Sequence, residues 1–459
     1  MIQGLRCDLP GGLAMSFGDV RVDERADWLI ERIAATGSLV VRRVGQTRAG
    51  GMAIHPFLSS PYVSVEQIVE TLAARTAARC VGRSVLVVQD TTEINFAGRD
   101  KKRRGFGPAG DGQSPGFFLH PVIGVDVESE AVVGLVDAAL WTRAPGAKTR
   151  RRSRPSQDKE SARWLAGCRS AARSLSAAAR LTMVADRESD IYALFASKPA
   201  NLDLISRVAQ NRNLAHGGRL FEALDGAPCL TLREVRVAPR GPGDKGRIAR
   251  VELRAARVQI ARPVNGLVED LPAAIELSLV EAREIGAPAG KTPLHWRLLT
   301  THDVADAAQA EEIVQLYRLR WRIEQTFRAL KSDGLALEDS QVITPQRMFN
   351  LAAIGLAAAI RTIQLVGARD GGPRPATDVI DDAFALPLQR LSTKLEGKTE
   401  RQKNPHPPQS LAFVAWIAAR LGGWNCYYKP PGPKTMRYGW TRLTATLAGY
   451  ALATQGQIP

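Results

Sequence analysis

Apolar and polar positions change their period several times along the chain, and these changes divide it. Over 19–35 the apolar residues Trp28, Leu29 and Ile33 recur among charges at helical spacing, and the pattern stops near Gly37. A second helix is predicted over 64–78, with Ser64 as its N-cap. The pattern then shortens. Residues 84–89 form an apolar run that ends on Asp90, and 181–185 form another that ends on Asp186. Segments 117–127, 131–141 and 202–208 read as further strands. From about 210 to 290 strand-like alternation dominates, clearest over 230–237, 247–260 and 273–280, with punctuation such as Gly241-Pro242-Gly243. One more strand, 294–300, leads into a long helix predicted over about 305–331; a helix is also expected to begin near Lys159. The remainder is helical, with Pro-rich turns at 405–408 and 430–433. The apolar stretch 351–360 is too short to span a bilayer and runs into Arg361, so it is expected to be a buried core helix.

Three strands, helix, strand, helix, strand, β insertion and long helix together predict a mixed α/β sheet. Consecutive strands form a meander, while strands separated by helices favour parallel crossovers. Acids at strand ends are where such sheets usually place ligand sites.

Composition adds a partner class. The 459 residues suit two or three domains, and 45% hydrophobic with 24% charged residues is ordinary for a globular protein. A formal net charge of +16 is not ordinary, and it predicts attraction to polyanions, nucleic acid first among them. The basic runs 101–104 and 148–154 are dense enough to neutralise several phosphates, or else they are solvated loops. Five cysteines are scattered singly, which argues against a zinc ribbon and against a disulfide framework. The histidines form no ligand pair at helical spacing, so any metal rests on oxygen ligands. The opening residues lack a basic start followed by an apolar run, so a cytoplasmic setting without a signal peptide, and no membrane partner, is expected.

The acids then gain meaning together. Asp90 and Asp186 follow apolar runs and would sit at the carboxyl ends of neighbouring strands. Close carboxylates repel unless a cation neutralises them, and hard oxygen donors suit Mg²⁺ or Mn²⁺. Each Asp taken alone reads as readily as the start of a turn. In the 305–331 helix, Tyr317, Arg320, Glu324 and Lys331 fall within an arc of about 60° at ~100° per residue, beside an apolar stripe of Leu316, Leu319, Ile323, Phe327 and Leu330. That flank presents a carboxylate for a metal site and two cations for phosphate oxygens. An ordinary solvated face with an Arg–Glu pair at i,i+4 remains the other reading.

These residues resemble a known family. Tyr317-x2-Arg320-x3-Glu324-x6-Lys331 is similar to the YREK signature of the DDE transposases of insertion-sequence family four. Asp90-Thr-Thr resembles the segment of that family's first catalytic aspartate, and Asp186-Arg-Glu-Ser-Asp-Ile that of its second. Residues 292–300, around Trp296, resemble the strand before the YREK helix. The resemblance also touches 17–21 and 421–424; it is loose over the β insertion and the last hundred residues.

The resemblance implies an α/β fold: an RNase H-like mixed-sheet catalytic core over 76–370, carrying the β insertion at about 210–290. A helical N-terminal DNA-binding domain over 1–75 and a helical C-terminal dimerisation region over 371–459 would flank it. It implies a catalytic and metal-binding triad of Asp90, Asp186 and Glu324 with two Mg²⁺ or Mn²⁺ ions per active site. Tyr317, Arg320 and Lys331 would grip a 5′ phosphate, and Trp296 would stack on a base flipped from the duplex, although buried core is the plainer reading of that tryptophan. Arg207 and Arg187 are further DNA-contact candidates, and Arg21, Arg25, Arg42 and Arg43 are candidates for reading the element's end. The implied partners are double-stranded DNA with terminal inverted repeats, target DNA and a second copy of the chain in a homodimeric DNA complex, in a nucleoid-associated setting. The implied activity is cut-and-paste transposition, with cleavage through a hairpin and then strand transfer. The alternatives are a metal-dependent nuclease without strand transfer and a DNA-binding regulator that has lost catalysis.

Overall fold

The computed structural model describes residues 17–98, 103–110, 112–143, 162–237, 246–264, 270–331 and 334–455. The basic run 148–154, residues 101 and 102, the helix start near Lys159 and Gly241-Pro242-Gly243 lie outside them. In chain order the first elements are α1 (Val20–Thr36), α2 (Val41–Gly45), α3 (Arg48–Leu58), α4 (Val65–Cys80), β1 (Ser84–Gln89), β2 (Thr92–Asn95), β3 (Gly107–Pro108), β4 (Pro115–Asp126) and β5 (Ala131–Trp141). There follow α5 (Ala162–Ser174), β6 (Arg180–Ala185), α6 (Tyr192–Ala196), β7 (Asp203–Arg207), β8 (Thr231–Val237), β9 (Arg247–Ala261), β10 (Ala274–Ile285) and β11 (His295–Thr300). The last are α7 (Ala307–Arg318), α8 (Trp321–Leu330), α9 (Pro345–Ala368), α10 (Ala385–Leu395), α11 (Leu411–Leu421) and α12 (Pro433–Gln455). They form two compact units, each assembled from separate stretches: a helix-rich unit (Met1–Val81, Thr91–Ala147, Arg322–Pro459) and a sheet unit (Gly82–Asp90, Lys148–Trp321).

The sheet unit is built on strands in the order β1-β6-β7-β11-β10-β9-β8. The first three are parallel and the rest antiparallel, so the sheet is mixed. β1 and β6 read as unbroken apolar runs because they are buried, with α5 packed on β1 and α7 on β6; Val85–Val88 are at most 1% exposed. The segment expected as an inserted β subdomain instead extends this sheet, through β10 pairing with β11. Its outermost strand, β8, carries Arg233, Glu234 and Arg236, charges that blunt a sheet edge against further pairing.

In the helix-rich unit, α1 starts on Asp19, whose carboxylate accepts from the N–H of Arg21, and α4 starts on a full capping box of Ser64 and Gln67. The short α2 and the Gly-rich α3 carried too little periodicity to be expected. β4 and β5 form an antiparallel hairpin, with α4 and α9 packed on β5. Thr76 of α4 donates to the carbonyl of Leu135 at 2.6 Å, and a Cβ on Gly134 would sit 2.2 Å from its hydroxyl oxygen, so this approach requires glycine. The helix α9 is long and apolar enough to cross a membrane, but 83% of its apolar window is buried among protein neighbours, as a core helix is.

One expected element is broken. The helix over 305–331 stops at Arg318 and restarts at Trp321, with Leu319 and Arg320 in a turn. The N–H of Arg320 returns to the carbonyl of Tyr317 at 3.1 Å, an i→i−3 bond that tightens the turn and ends the 3.6-residue period. The 60° arc was drawn on a continuous helix, and the helix is not continuous. Tyr317 ends up buried at 5% exposure rather than on a presented flank, Arg320 lies in the break, and Lys331 lies just past α8.

Candidate active site at the carboxyl ends of β1 and β6

The parallel strands β1 and β6 pair from Ser84↔Arg180 to Val88↔Val184. Asp90 and Asp186 each stand two residues past the last of these pairs, on the same offset, just beyond the strand ends. Both acids are half-buried. Gln89, fully buried before Asp90, is anchored to α5 through the carbonyl of Trp164 at 3.0 Å. Asp186 caps a single 3₁₀ turn (Arg187–Ser189), with one carboxylate oxygen accepting from the N–H of Glu188 at 2.9 Å. Its carbonyl accepts from the Ser189 hydroxyl at 2.7 Å, and that hydroxyl meets Ser206 of β7 at 2.6 Å.

Cationic and aromatic groups of the same unit close on this pair. Arg320 donates to Asp90 at 2.9 Å, with side-chain exposures of 15% and 16%. Arg207, at the end of β7, donates to the carbonyl of His295 at 3.2 Å. Burial pushes the Tyr317 phenol up from its usual range, against the pull of Arg320 and Arg207. The Tyr317 ring meets Trp296 edge-on, with centroids 5.2 Å apart. Trp296 is half-buried and packs on the apolar cluster of Ala249, Val251, Leu253 and Ala282. Arg187 is exposed on the 3₁₀ turn.

The other candidates belong to the helix-rich unit. Glu324 lies half-buried in the first turn of α8. The Lys331 ammonium donates to the carbonyl of Glu93 at 2.6 Å, and burial holds it below the usual lysine range. Arg21, Arg25, Arg42 and Arg43 are exposed on α1 and α2. Among the described residues, no group of three or more His, Cys, Asp or Glu is arranged to hold a metal ion. Asp90 and Asp186 are the carboxylates that follow the paired strands β1 and β6. Two adjacent oxygen donors suit a hard divalent cation in kind, and Arg320 supplies the positive charge that Asp90 needs beside Asp186.

Residues 168–361 match the family model described as the transposase DDE domain. This supports a DDE transposase. The match contains Asp186, Trp296, Tyr317, Arg320, Glu324 and Lys331 and begins after Asp90. Among solved structures, the piggyBac transposase synaptic complex with hairpin DNA aligns with 98% of this chain and 76% of its own at 10% identity and a TM-score of 0.39, too slight a likeness to bear on the fold.

Within the DDE domain match, one positioning pair escaped sequence reasoning. Asp190 is sealed, with 0% side-chain exposure, and Arg212 is at 9%. One Asp190 oxygen accepts from the N–H groups of Ala209 at 2.8 Å and Gln210 at 3.1 Å, while the other takes the Arg212 fork. This bond set ties the turn after Asp186 to the segment after β7, and thus fixes where Asp186 points. The signal was in the sequence as a second acid four residues after Asp186, but nothing local named its partner.

Proposed function

We propose that the protein is a cut-and-paste DNA transposase of the family-four type, with an RNase H-like core and Asp90, Asp186 and Glu324 as its metal-holding triad. The observation that supports this reading is the parallel register of β1 and β6, which ends two residues before Asp90 and Asp186 on one offset, together with the transposase DDE match. Two Mg²⁺ or Mn²⁺ ions, when bound, supply Lewis-acid stabilisation of phosphoryl oxygens and an activated water. The protein does the rest by positioning. Asp90 and Asp186 hold the ions from rigid strand ends, and Glu324 completes the donor set from α8. Arg320 exchanges Asp90 for a DNA phosphate, which its fork binds through two oxygens. Lys331 adds a point charge to the 5′ phosphate. Tyr317 acts from within, by backing the Trp296 indole, which stacks on a base turned out of the duplex. Arg187, exposed on the turn after Asp186, contacts the backbone. The exposed arginines of α1 and α2 read the terminal inverted repeats.

Each chemical step is an in-line displacement at phosphorus. Water cuts at the element's end, and the freed 3′-OH attacks the opposite strand to form a hairpin. The hairpin is reopened by water, and the same 3′-OH joins target DNA. Two copies of the chain pair the two ends in a homodimeric complex.

The test is an incubation with Mg²⁺ and DNA bearing the inverted repeats, comparing wild type with Glu324→Gln. Wild type should yield cut and target-joined products, and the variant neither. Cutting without joining would make the protein a nuclease. Cutting by Glu324→Gln would remove Glu324 from the site.

A further inference from the structure

Helices α1, α9 and α12 of the helix-rich unit frame a cavity of about 290 Å³. Its walls are mostly apolar, with Ile30, Ile33, Ile354 and Trp440 among them. Alanines of all three helices leave the room, Ala358 of α9 and Ala448 of α12 among them. The cavity reaches the surface, because Leu452 lines it and is 72% exposed. Arg32, Arg361 and Arg437 line the same space, and no Asp or Glu does among the described residues. Arg437, on α12, is incompletely bonded. Its Nη1 donates to the carbonyl of Gly37 at the end of α1, and its guanidinium carbon lies 4.8 Å from the centroid of the Tyr438 ring. Its Nε atom is buried and has no hydrogen-bond partner among the described residues. Buried donors are normally satisfied, and one on a charged group is the costliest to leave open. A mainly apolar pocket with a few polar groups is the usual form of a small-molecule site.

We propose that this cavity binds a medium-chain carboxylate, with its hydrocarbon among the alanines and isoleucines and its carboxylate on Arg437. Size, polarity and charge each narrow the ligand. An apolar cavity of about 150 Å³ takes benzene, so 290 Å³ takes a hydrocarbon body of roughly eight to ten carbons. A sugar or a nucleotide would set hydroxyl groups against apolar walls without partners, which is unfavourable. A cation would meet three arginines. A carboxylate accepts from Nε without displacing the Gly37 bond, because that bond uses Nη1. Bound there, the molecule packs against all three helices and holds α12 onto α1 and α9.

The experiment is isothermal titration of the full chain with octanoate, 1-octanol and octylammonium, each below its micelle concentration, with thermal melting in parallel. Octanoate should bind saturably and raise Tm by ligand linkage. 1-Octanol should bind about tenfold more weakly or worse, for want of a charged acceptor, and octylammonium should not bind. Arg437→Gln should lose about tenfold or more of the octanoate affinity and bind octanoate and 1-octanol alike. Ala358→Phe should fill the cavity and abolish binding of both, and Ala448→Phe should do the same from α12. These two variants carry the test if Arg437→Gln fails to fold. No saturable octanoate binding by wild type would overturn the proposal. So would undiminished binding by Ala358→Phe and Ala448→Phe, which would place octanoate elsewhere. Octylammonium binding as tightly as octanoate would overturn it too, because the contact would then be apolar alone.

Discussion

The sheet unit and the helix-rich unit each hold a set of like charges, and they hold them differently. At the ends of β1 and β6 the set is acidic and half-open, with Asp90 at 16% side-chain exposure. Beneath α4 and α9 it is basic and sealed at its floor, with Arg374 at 3%. Arg320 bonds Asp90 in the first set, and Arg374 and Arg361 both bond Asp378 in the second. The difference in exposure sets the role. A half-open site can exchange its partner during turnover, whereas a sealed one keeps its contacts as part of the structure. Asp190 and Arg212 give the balanced case: Asp190 is sealed, Arg212 reaches it from a partly buried position, the opposite charges are matched and the oxygens of Asp190 are bonded.

The largest effect expected from breaking this comparison is at the acids. Asp186→Asn should lower Mg²⁺-dependent DNA cleavage by ~10³-fold or more, since stabilisation by a bound metal is worth several kcal/mol. Cleavage rates within tenfold of wild type would mean that the paired acids are only turn formers. Next comes the balanced pair. Asp190→Ala leaves a buried guanidinium uncompensated and should cost about 3–5 kcal/mol in urea unfolding; a loss below 1 kcal/mol would show that the Arg212 contact does not hold the turn.

Trp296→Ala sharpens the reading of the open site. Loss of one stacked base (~1–3 kcal/mol) should impair hairpin formation by about 5- to 150-fold while initial nicking is largely spared. Equal loss of both steps would return Trp296 to a packing role on the cluster of Ala249 and Val251.

The smallest effect is a pH dependence at Lys331. Burial holds its ammonium below the usual 10.5. The folded protein thus gives up this proton at lower pH than the unfolded chain, which binds more protons across the window between the two values. Stability accordingly rises with pH there. The grip on DNA moves the opposite way, because the charge is lost. Binding of end DNA should weaken as pH rises toward the lysine range in wild type and stay flat in Lys331→Arg. Parallel curves would place Lys331 away from phosphate.

Much of the site was legible because its signals are local. An apolar run closing on an acid names a strand and its carboxyl end within seven residues, so Asp90 and Asp186 were readable before any pairing was known. The strands β5 and β11 were readable for the same reason. The break at Leu319 and Arg320 was not legible: both residues fit a continuous helical stripe, and the interruption falls where the chain leaves the sheet unit. Nor could periodicity show that the alternating segments of 210–290 would lengthen the core sheet, since β-strand patterning fixes a face and not a neighbour.

The sequence by itself determined which side chains end strands, where helices are capped, and that the chain carries enough positive charge to seek polyanions. Tertiary structure alone decided that Val88 pairs with Val184, that Tyr317 turns inward, and that Arg374 and Arg361 both reach Asp378. The reason is the reach of the forces. Propensity and capping act across one turn or one strand, while charge pairing and burial depend on which distant segments the packed core brings into contact.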